Sequence, residues 1–341
     1  MSAPQPRPAG RLLLTGVPGW LTDALLDDLA RDPLAGLTGV RCLVQPGVSC
    51  SAPPETRQRL NLEIVAADVR DGEAIRCAVH NVDTVLHAAG VVHVRRTRDW
   101  YDINTRGTQT LVHAAAEAGA ERFVFISSNA AAGRARCFER ALTEADPPHP
   151  LSYYGRSKWL GEQALAALGA RMQTVVLRPC MFYGPPVPQR HVEIYRRILH
   201  GRMPLVGGGR FARSLTYIEN LVQACRLAMN HPAAAGQTYY ISDRPIYTTR
   251  QIVEAMAEAL QTQASFVPLP CLAGRMAYAV DRALAALGIY WQTAHLLGES
   301  HWHVGVSCEK ACRELGYRPT VTLAEGMRQS LAWCVSRGLL I

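Results

Sequence analysis

The chain has 341 residues, 48% of them hydrophobic and 19% charged, with a formal net charge of +8. That length and balance exclude a disordered or fibrous protein and leave room for one large or two moderate domains with an ample core. No uninterrupted apolar run reaches membrane-spanning length, because the most apolar late stretch, Leu272 to Tyr290, is broken by Arg275, Asp281 and Arg282.

The positive balance suits phosphate-bearing ligands, but the basic residues are dispersed without an aromatic-basic register, which argues against nucleic acid as a partner. The ten cysteines are scattered and form no Cys-x2-Cys pair, so no disulfide framework is expected. His301, His303, Cys308 and Cys312 can be drawn as a metal cluster, yet ordinary core and surface roles suit them better, and no metal site is expected. Met1 to Arg11 is rich in proline and polar residues and lacks the apolar centre of a signal peptide; it reads as a flexible leader on a cytoplasmic protein.

In chain order, Arg11 to Thr15 reads as a buried strand, followed by a glycine turn and a helix through Leu21 to Arg31. Gly39 to Val44 is a second strand, and Gln45 to Glu55, with three prolines and two serines, a loop. Leu62 to Ala67 and Val82 to Ala89 are strands three and four, Asp102 to Ala118 a helix, and Arg122 to Ser128 the fifth strand. Tyr154 to Leu168 is a helix, Thr174 to Arg178 a sixth strand, and Gln237 to Ile241 one more strand returning to the first sheet. Strands alternating with helices at this spacing imply an α/β, doubly wound parallel sheet of the Rossmann type. After Pro179 the rhythm changes: prolines and glycines cluster between Gly184 and Gly209, and helices dominate from Thr249. The expected organisation is a dinucleotide-binding domain over 12–180 and 215–245, with a smaller, mostly helical substrate domain over 181–214 and 246–341.

Three features carry chemistry. Gly16 and Gly19 stand at the first strand-helix junction, where backbone N–H groups and the helix dipole favour a pyrophosphate, although Thr22 occupies the place where a third glycine is expected. Tyr154 and Lys158 lie one helical turn apart, so the ammonium is expected to lower the phenol's pKa and make it an acid/base for a secondary alcohol. Ser127-Ser128-Asn129 follow the fifth strand at the carboxyl edge of the sheet, where Ser128 can hold a substrate oxygen. The second strand ends in Val44 and Gln45 rather than an acidic ribose reader, and the nearby Arg41, Arg57 and Arg59 tilt the cofactor from NAD toward NADP. His87 reads as a strand-end structural residue and Cys180 as a small buried hydrophobe.

Together these motifs resemble the extended short-chain dehydrogenase/reductases, the NAD-dependent epimerase/dehydratase family, from about Leu12 to Trp333. Thr15-Gly16-Val17-Pro18-Gly19-Trp20-Leu21 resembles the family's phosphate turn, Asp68-Val69 with Asp71 its adenine segment, and His87-Ala88-Ala89-Gly90 the segment beneath the cofactor. Asn104-x2-Gly107-Thr108 resembles its central helix, and Arg178-Pro179-x3-Tyr183-Gly184-Pro185, which includes Met181, the turn beside the nicotinamide. The resemblance implies catalysis by Ser128, Tyr154 and Lys158, with Asn104 supporting the lysine through water. It also implies a homodimer built from the Asn104 and Tyr154 helices, with Ala114, Ala115, Ala116, Ala164, Ala166 and Ala167 permitting close packing.

Within the family, Ala131-Ala132-Gly133 replaces the Val-Tyr-Gly of sugar-nucleotide enzymes, Asn220 replaces an aspartate, and Leu269 to Tyr290 resembles the apolar insert of the 3β-hydroxysteroid dehydrogenase branch. These favour an oxidoreductase acting on a secondary alcohol or ketone of an apolar skeleton, with that insert lining the pocket. Arg210 and Arg213, placed where sugar-nucleotide enzymes hold a diphosphate, keep a nucleotide-sugar epimerase or reductase as the alternative, and Asn129 completes the candidate substrate residues. An inactive cofactor-binding regulator on the same fold is a third reading, disfavoured by the retention of serine, tyrosine and lysine together.

Overall fold

A seven-stranded parallel sheet organises the molecule; the computed structural model describes residues 7–340. The chain runs β1 (Gly10–Val17), α1 (Trp20–Arg31), β2 (Leu37–Val44), α2 (Pro54–Arg59), β3 (Glu63–Ala66), α3 (Gly72–Ala78), β4 (Thr84–His87), α4 (Thr108–Glu117), β5 (Arg122–Ile126), α5 (Tyr153–Ala166) and β6 (Gln173–Pro179). It continues through β7 (Met181–Tyr183), α6 (Gln189–His200), β8 (Met203–Val206), β9 (Ala212–Arg213), β10 (Leu215–Tyr217) and α7 (Ile218–Asn230). Strand β11 (Thr238–Ile241) then returns to pair in parallel with β6. The remainder is β12 (Tyr247–Thr248), α8 (Thr249–Ala259), β13 (Phe266–Leu269), α9 (Cys271–Ala286), α10 (Gln292–Glu299), α11 (Glu309–Leu315) and α12 (Leu323–Ser336).

The sheet order is β11-β6-β5-β4-β1-β2-β3, so the winding reverses between β1 and β4. Successive strand side chains point to opposite faces, and Leu12, Leu13 and Leu14 of β1 are all buried because helices cover both. Leu12 and Leu14 join the core with Leu25 of α1 and Ala224 of α7, while Leu13 joins Ile75 of α3, Leu111 of α4 and Leu165 of α5. Two buried arginines are fully partnered. Arg178 of β6 grips Glu162 of α5 through Nε (3.0 Å) and a terminal nitrogen (2.6 Å), and Ser127 Oγ donates to the same carboxylate at 2.5 Å. Arg122 donates to the carbonyls of Ala228, Met229 and His231, satisfying the carboxyl end of α7.

Several elements differ from the sequence reading. The helix expected from Asp102 begins as a π-helical stretch, Trp100–Gly107, before α4. A side chain at Gly107 would meet Val69 Cγ2 at 2.6 Å, so the widened turn lies hard against the β3–α3 connection. Helix α3 was not anticipated; Asp71 caps it by accepting from the Glu73 and Ala74 N–H groups. Arg7 to Arg11 are not a free leader. The Arg7 N–H donates to the Asn230 carbonyl, its guanidinium reaches Glu121 and Thr84, and β1 already begins at Gly10. The rest of that leader, 1–6, lies outside the described residues. Of the small residues assigned to a dimer seam, Ala114, Ala115 and Ala164 are buried in the chain's own core beneath the sheet. None of the described helices is long and apolar enough to cross a membrane.

Candidate active site

A continuous cavity of about 1120 Å³ runs along the carboxyl edge of the sheet, at the point where the strand order reverses. Its wall at β1 is the glycine turn. Gly16 has φ +86, and a Cβ there would lie 2.7 Å from the Ala89 nitrogen, so backbone approaches backbone too closely for any side chain. At Gly19 a Cβ would meet the Gly16 carbonyl at 2.4 Å. Thr22 takes the place of the third glycine without opening the turn, since its hydroxyl donates to the Gly16 carbonyl at 2.8 Å. Helix α1 starts there without a side-chain cap, and the Trp20 indole Nε1 is buried at the cavity with no hydrogen-bond partner. This uncapped helix start and glycine cradle fit a pyrophosphate.

The wall continues over Leu21, Gln45, Asp68, Val69, Ala88, Ala89 and Gly90 and, at the far side, Pro179 and Met181. Asp68 accepts from Nε and one terminal nitrogen of Arg70, at 2.9 and 2.6 Å, and this pairing holds its carboxyl below the usual value.

Ser128, Asn129, Tyr154 and Lys158 meet on the same wall. They meet because α5 begins hard against the turn after β5. Ser152 caps the helix by accepting from the Gly155 N–H, and a side chain at Gly155 would collide with the Ala130 carbonyl at 2.2 Å. The environment of Tyr154 departs from the sequence expectation. Burial raises its pKa above the usual phenol value, the Ser128 hydrogen bond opposes that rise, the Glu299 charge adds to it, and Arg190 opposes it. Lys158 is not what sets this value: its Nζ sits 4.2 Å from the Phe125 ring centroid, and burial pulls the ammonium down to about 7 against the favourable charge of Glu162.

At the substrate end the wall is built by α6, β9 and α10. Arg190, Arg213, His295, Glu299 and Trp302 all line it. His295 Nδ1 is 3.0 Å from Asp281 Oδ2, and its Nε2 is 3.5 Å from Glu299 Oε1 one helical turn away. Burial works against the charged imidazole, but the two carboxylates prevail and raise its pKa; burial raises that of Glu299.

The family model described as "NAD dependent epimerase/dehydratase family" matches residues 12–242. This chain belongs to that family. A relative from Sinorhizobium fredii, the uncharacterized protein y4nL, is 36% identical over 96% of both chains. The 2-alkyl-3-oxoalkanoate reductase of Stenotrophomonas maltophilia is 28% identical over 94% of this chain and 98% of its own. Among solved structures, the UDP-glucose 4-epimerase of Thermus thermophilus in complex with NAD shares the fold at a TM-score of 0.72. It is 23% identical and covers 95% of this chain and 98% of that one.

For this epimerase/dehydratase family member, the side chains that the sequence singled out beyond Ser128, Tyr154 and Lys158 are placed as follows, and the tilt toward NADP and the substrate role of Arg210 need correction. Arg41, Arg57 and Arg59 do not reach the cavity. Arg41 is spent on Glu63 and the carbonyls of Ala78 and His80, Arg57 on those of Cys50 and Ala52, and Arg59 on that of Ala30. Arg210 is exposed outside the cavity, with a terminal nitrogen 3.6 Å from Cys271 Sγ. Arg213 does line the cavity, but its guanidinium donates to the backbone carbonyls of Ala212, Trp302 and Glu299. Asn104 lies behind the wall, where its amide clamps both the N–H and the carbonyl of Val91 and bonds Ser157 Oγ.

Residues 269–290 contribute only Tyr290 to the cavity; Leu272, Met276 and Val280 of α9 look outward. His87 is fully buried between the Thr15 and Thr108 hydroxyls, and burial holds it neutral, with a pKa near 3. No group of three or more potential ligands that could hold a metal occurs among the described residues. Arg190, His295 and Glu299 were missed by sequence reasoning. His295 and Glu299 show an i,i+4 pairing on a helix, but nothing in the sequence says which way that helix faces.

Proposed function

We propose that the protein is an NAD(P)-dependent oxidoreductase that interconverts a secondary alcohol and a ketone, with Tyr154 as the proton-transfer group. The observation that carries this reading is the convergence of the Ser128 and Tyr154 hydroxyls on the cavity wall, with Lys158 one turn further along α5. The dinucleotide, when bound, supplies the hydride chemistry. Gly16, Gly19, Trp20, Leu21, Asp68, Val69, Ala88, Ala89, Gly90, Pro179 and Met181 would hold it. With the three nearby arginines turned to other partners and Gln45, just past β2, lining the cavity, NAD is favoured over NADP.

In the reductive direction Ser128 Oγ orients the carbonyl oxygen and the Tyr154 hydroxyl delivers its proton there. Burial keeps that phenol protonated at neutral pH, and the Ser128 hydrogen bond eases formation of the phenolate. Lys158, poised near neutrality, can return a proton from Nζ. Tyr154→Phe is expected to cut turnover about 100-fold or more while dinucleotide binding persists; near-normal turnover would overturn the assignment.

Arg213's commitment to backbone carbonyls, the absence of Arg210 from the cavity and the near full-length similarity to an oxoalkanoate reductase support a substrate without a nucleotide diphosphate. The alternative, a nucleotide-sugar epimerase, draws support from Arg190 in the cavity wall and from the epimerase of the same fold. Calorimetry decides between them: the first reading expects no appreciable binding of uridine or thymidine diphosphate, the second micromolar binding lost on Arg190→Ala.

A further inference from the structure

The connection between α9 and α10 reads Leu287-Gly288-Ile289-Tyr290-Trp291, and its apolar side chains stand in solvent: Leu287 is 76% exposed, Ile289 50% and Trp291 53%. The exposed stripe extends along α9, where Leu272, Met276 and Val280 recur every fourth residue and face outward, while Gly274, Asp281 and Ala285 face inward. This tip is held in place. The Thr97 N–H donates to the Gly288 carbonyl, Arg96 bridges Ile289, and the Tyr290 ring meets Trp100 edge-on at 4.9 Å.

The same contacts set three exposed arginines, Arg95, Arg96 and Arg98, beside the apolar tip, with Asp99 4.0 Å from Arg98. Arg275 is exposed on α9 between Leu272 and Met276, and the one acidic residue of that helix, Asp281, is buried. The face is therefore apolar and cationic at once. We propose that it docks on an anionic lipid bilayer, with α9 lying in the plane of the interface and the Leu287–Trp291 tip among the headgroups. An apolar stripe flanked by basic residues is the pattern of an interfacial helix, Trp291 suits the headgroup level, and arginines near the surface are attracted by anionic lipid. In a two-fold contact a second copy would offer this face the same apolar and cationic groups and no complementary negative charge, which disfavours it as the occupant. Tyr290 and Leu296 also line the cavity, so the cavity opens beside the lipid and would draw an amphipathic substrate from it. That last consequence rests on the proposed oxidoreductase reading; the docking does not.

The full chain should float with phosphatidylcholine vesicles that contain phosphatidylglycerol, bind pure phosphatidylcholine far more weakly, and dissociate as salt rises. Leu287→Ser with Trp291→Ser, neither of which lines the cavity, should weaken flotation at least about tenfold without lowering the melting temperature. Arg95→Glu, Arg96→Glu and Arg98→Glu together should weaken it on the anionic vesicles about a hundredfold. Failure of the native chain to bind anionic vesicles, or undiminished binding by the double variant, would overturn the proposal. So would sedimentation showing that the native chain is a dimer which the double variant dissociates, because the face would then belong to a second copy. Because flotation needs no turnover, a negative result there would leave the Tyr154 test of the catalytic reading standing.

Discussion

In β1, Leu12, Leu13 and Leu14 are all withdrawn from solvent, whereas in α9 Leu272 and Met276 are each 61% exposed. Both segments are apolar, and only their surroundings differ. Helices cover the sheet on both faces, so every strand residue there is inside whichever way it points. Helix α9 packs on α10 and, through Tyr278 and Arg282, against the start of α5, while Leu272, Met276 and Val280 on its outward face stand in solvent. Apolarity thus predicts burial in a doubly covered sheet and does not predict it in a peripheral helix. The same contrast holds for charge. In the sheet half, Glu162 and Arg178 are buried against each other, whereas Glu299 of α10 presents its carboxylate to the cavity.

The sharpest way to break this contrast is at Glu162. Glu162→Ala leaves the Arg178 guanidinium buried without its partner and should cost about 3–5 kcal/mol of stability, read by denaturant unfolding. A loss no larger than that of a surface change would show that the sheet half is not tied by this pair.

A second test uses pH. His87 has a folded pKa near 3 against an ordinary value of 6.5, because burial disfavours its charged form. Below the ordinary value the unfolded chain therefore binds a proton that the folded chain does not, and stability falls as pH drops from about 6.5 toward 3. By about pH 4 this contribution is on the order of 3 kcal/mol, and a folded His87→Asn variant should show a correspondingly flatter acid limb.

On the opposite side of the comparison, Glu299→Gln removes a negative charge whose presence raises the Tyr154 pKa. The pH profile of alcohol oxidation should shift toward acid, with a turnover change below about tenfold, while the melting temperature stays near that of the native chain. An unshifted profile would place Glu299 outside the field of the tyrosine. The smallest effect is expected on α9. Met276→Ser should change stability by less than about 0.5 kcal/mol, where Leu14→Ala should cost about 2–5 kcal/mol. Similar losses at the two positions would mean that the outward face of α9 is covered after all.

The sequence by itself determined the order of the sheet strands through β6, the helices α1, α4 and α5 between them, the return strand at 238–241, and which residues stand at the carboxyl edge of the sheet. These follow from local chemistry: β-branched and apolar runs, glycines where a turn requires φ above zero, and a tyrosine and lysine one helical turn apart. It did not determine where long side chains end. Arg41, Arg57, Arg59 and Arg213 are equally cationic in the sequence, yet folding spent the first three on groups away from the cavity and the fourth mainly on backbone carbonyls within its wall. Nor did it determine the state of Tyr154, because the i,i+4 spacing fixes which face the lysine shares but not the desolvation that raises the phenol. The tertiary structure alone turned α10 so that Glu299 looks into the cavity and left the apolar stripe of α9 outside. Those orientations depend on which elements pack against each helix, and that information is distributed over contacts between residues far apart in the chain.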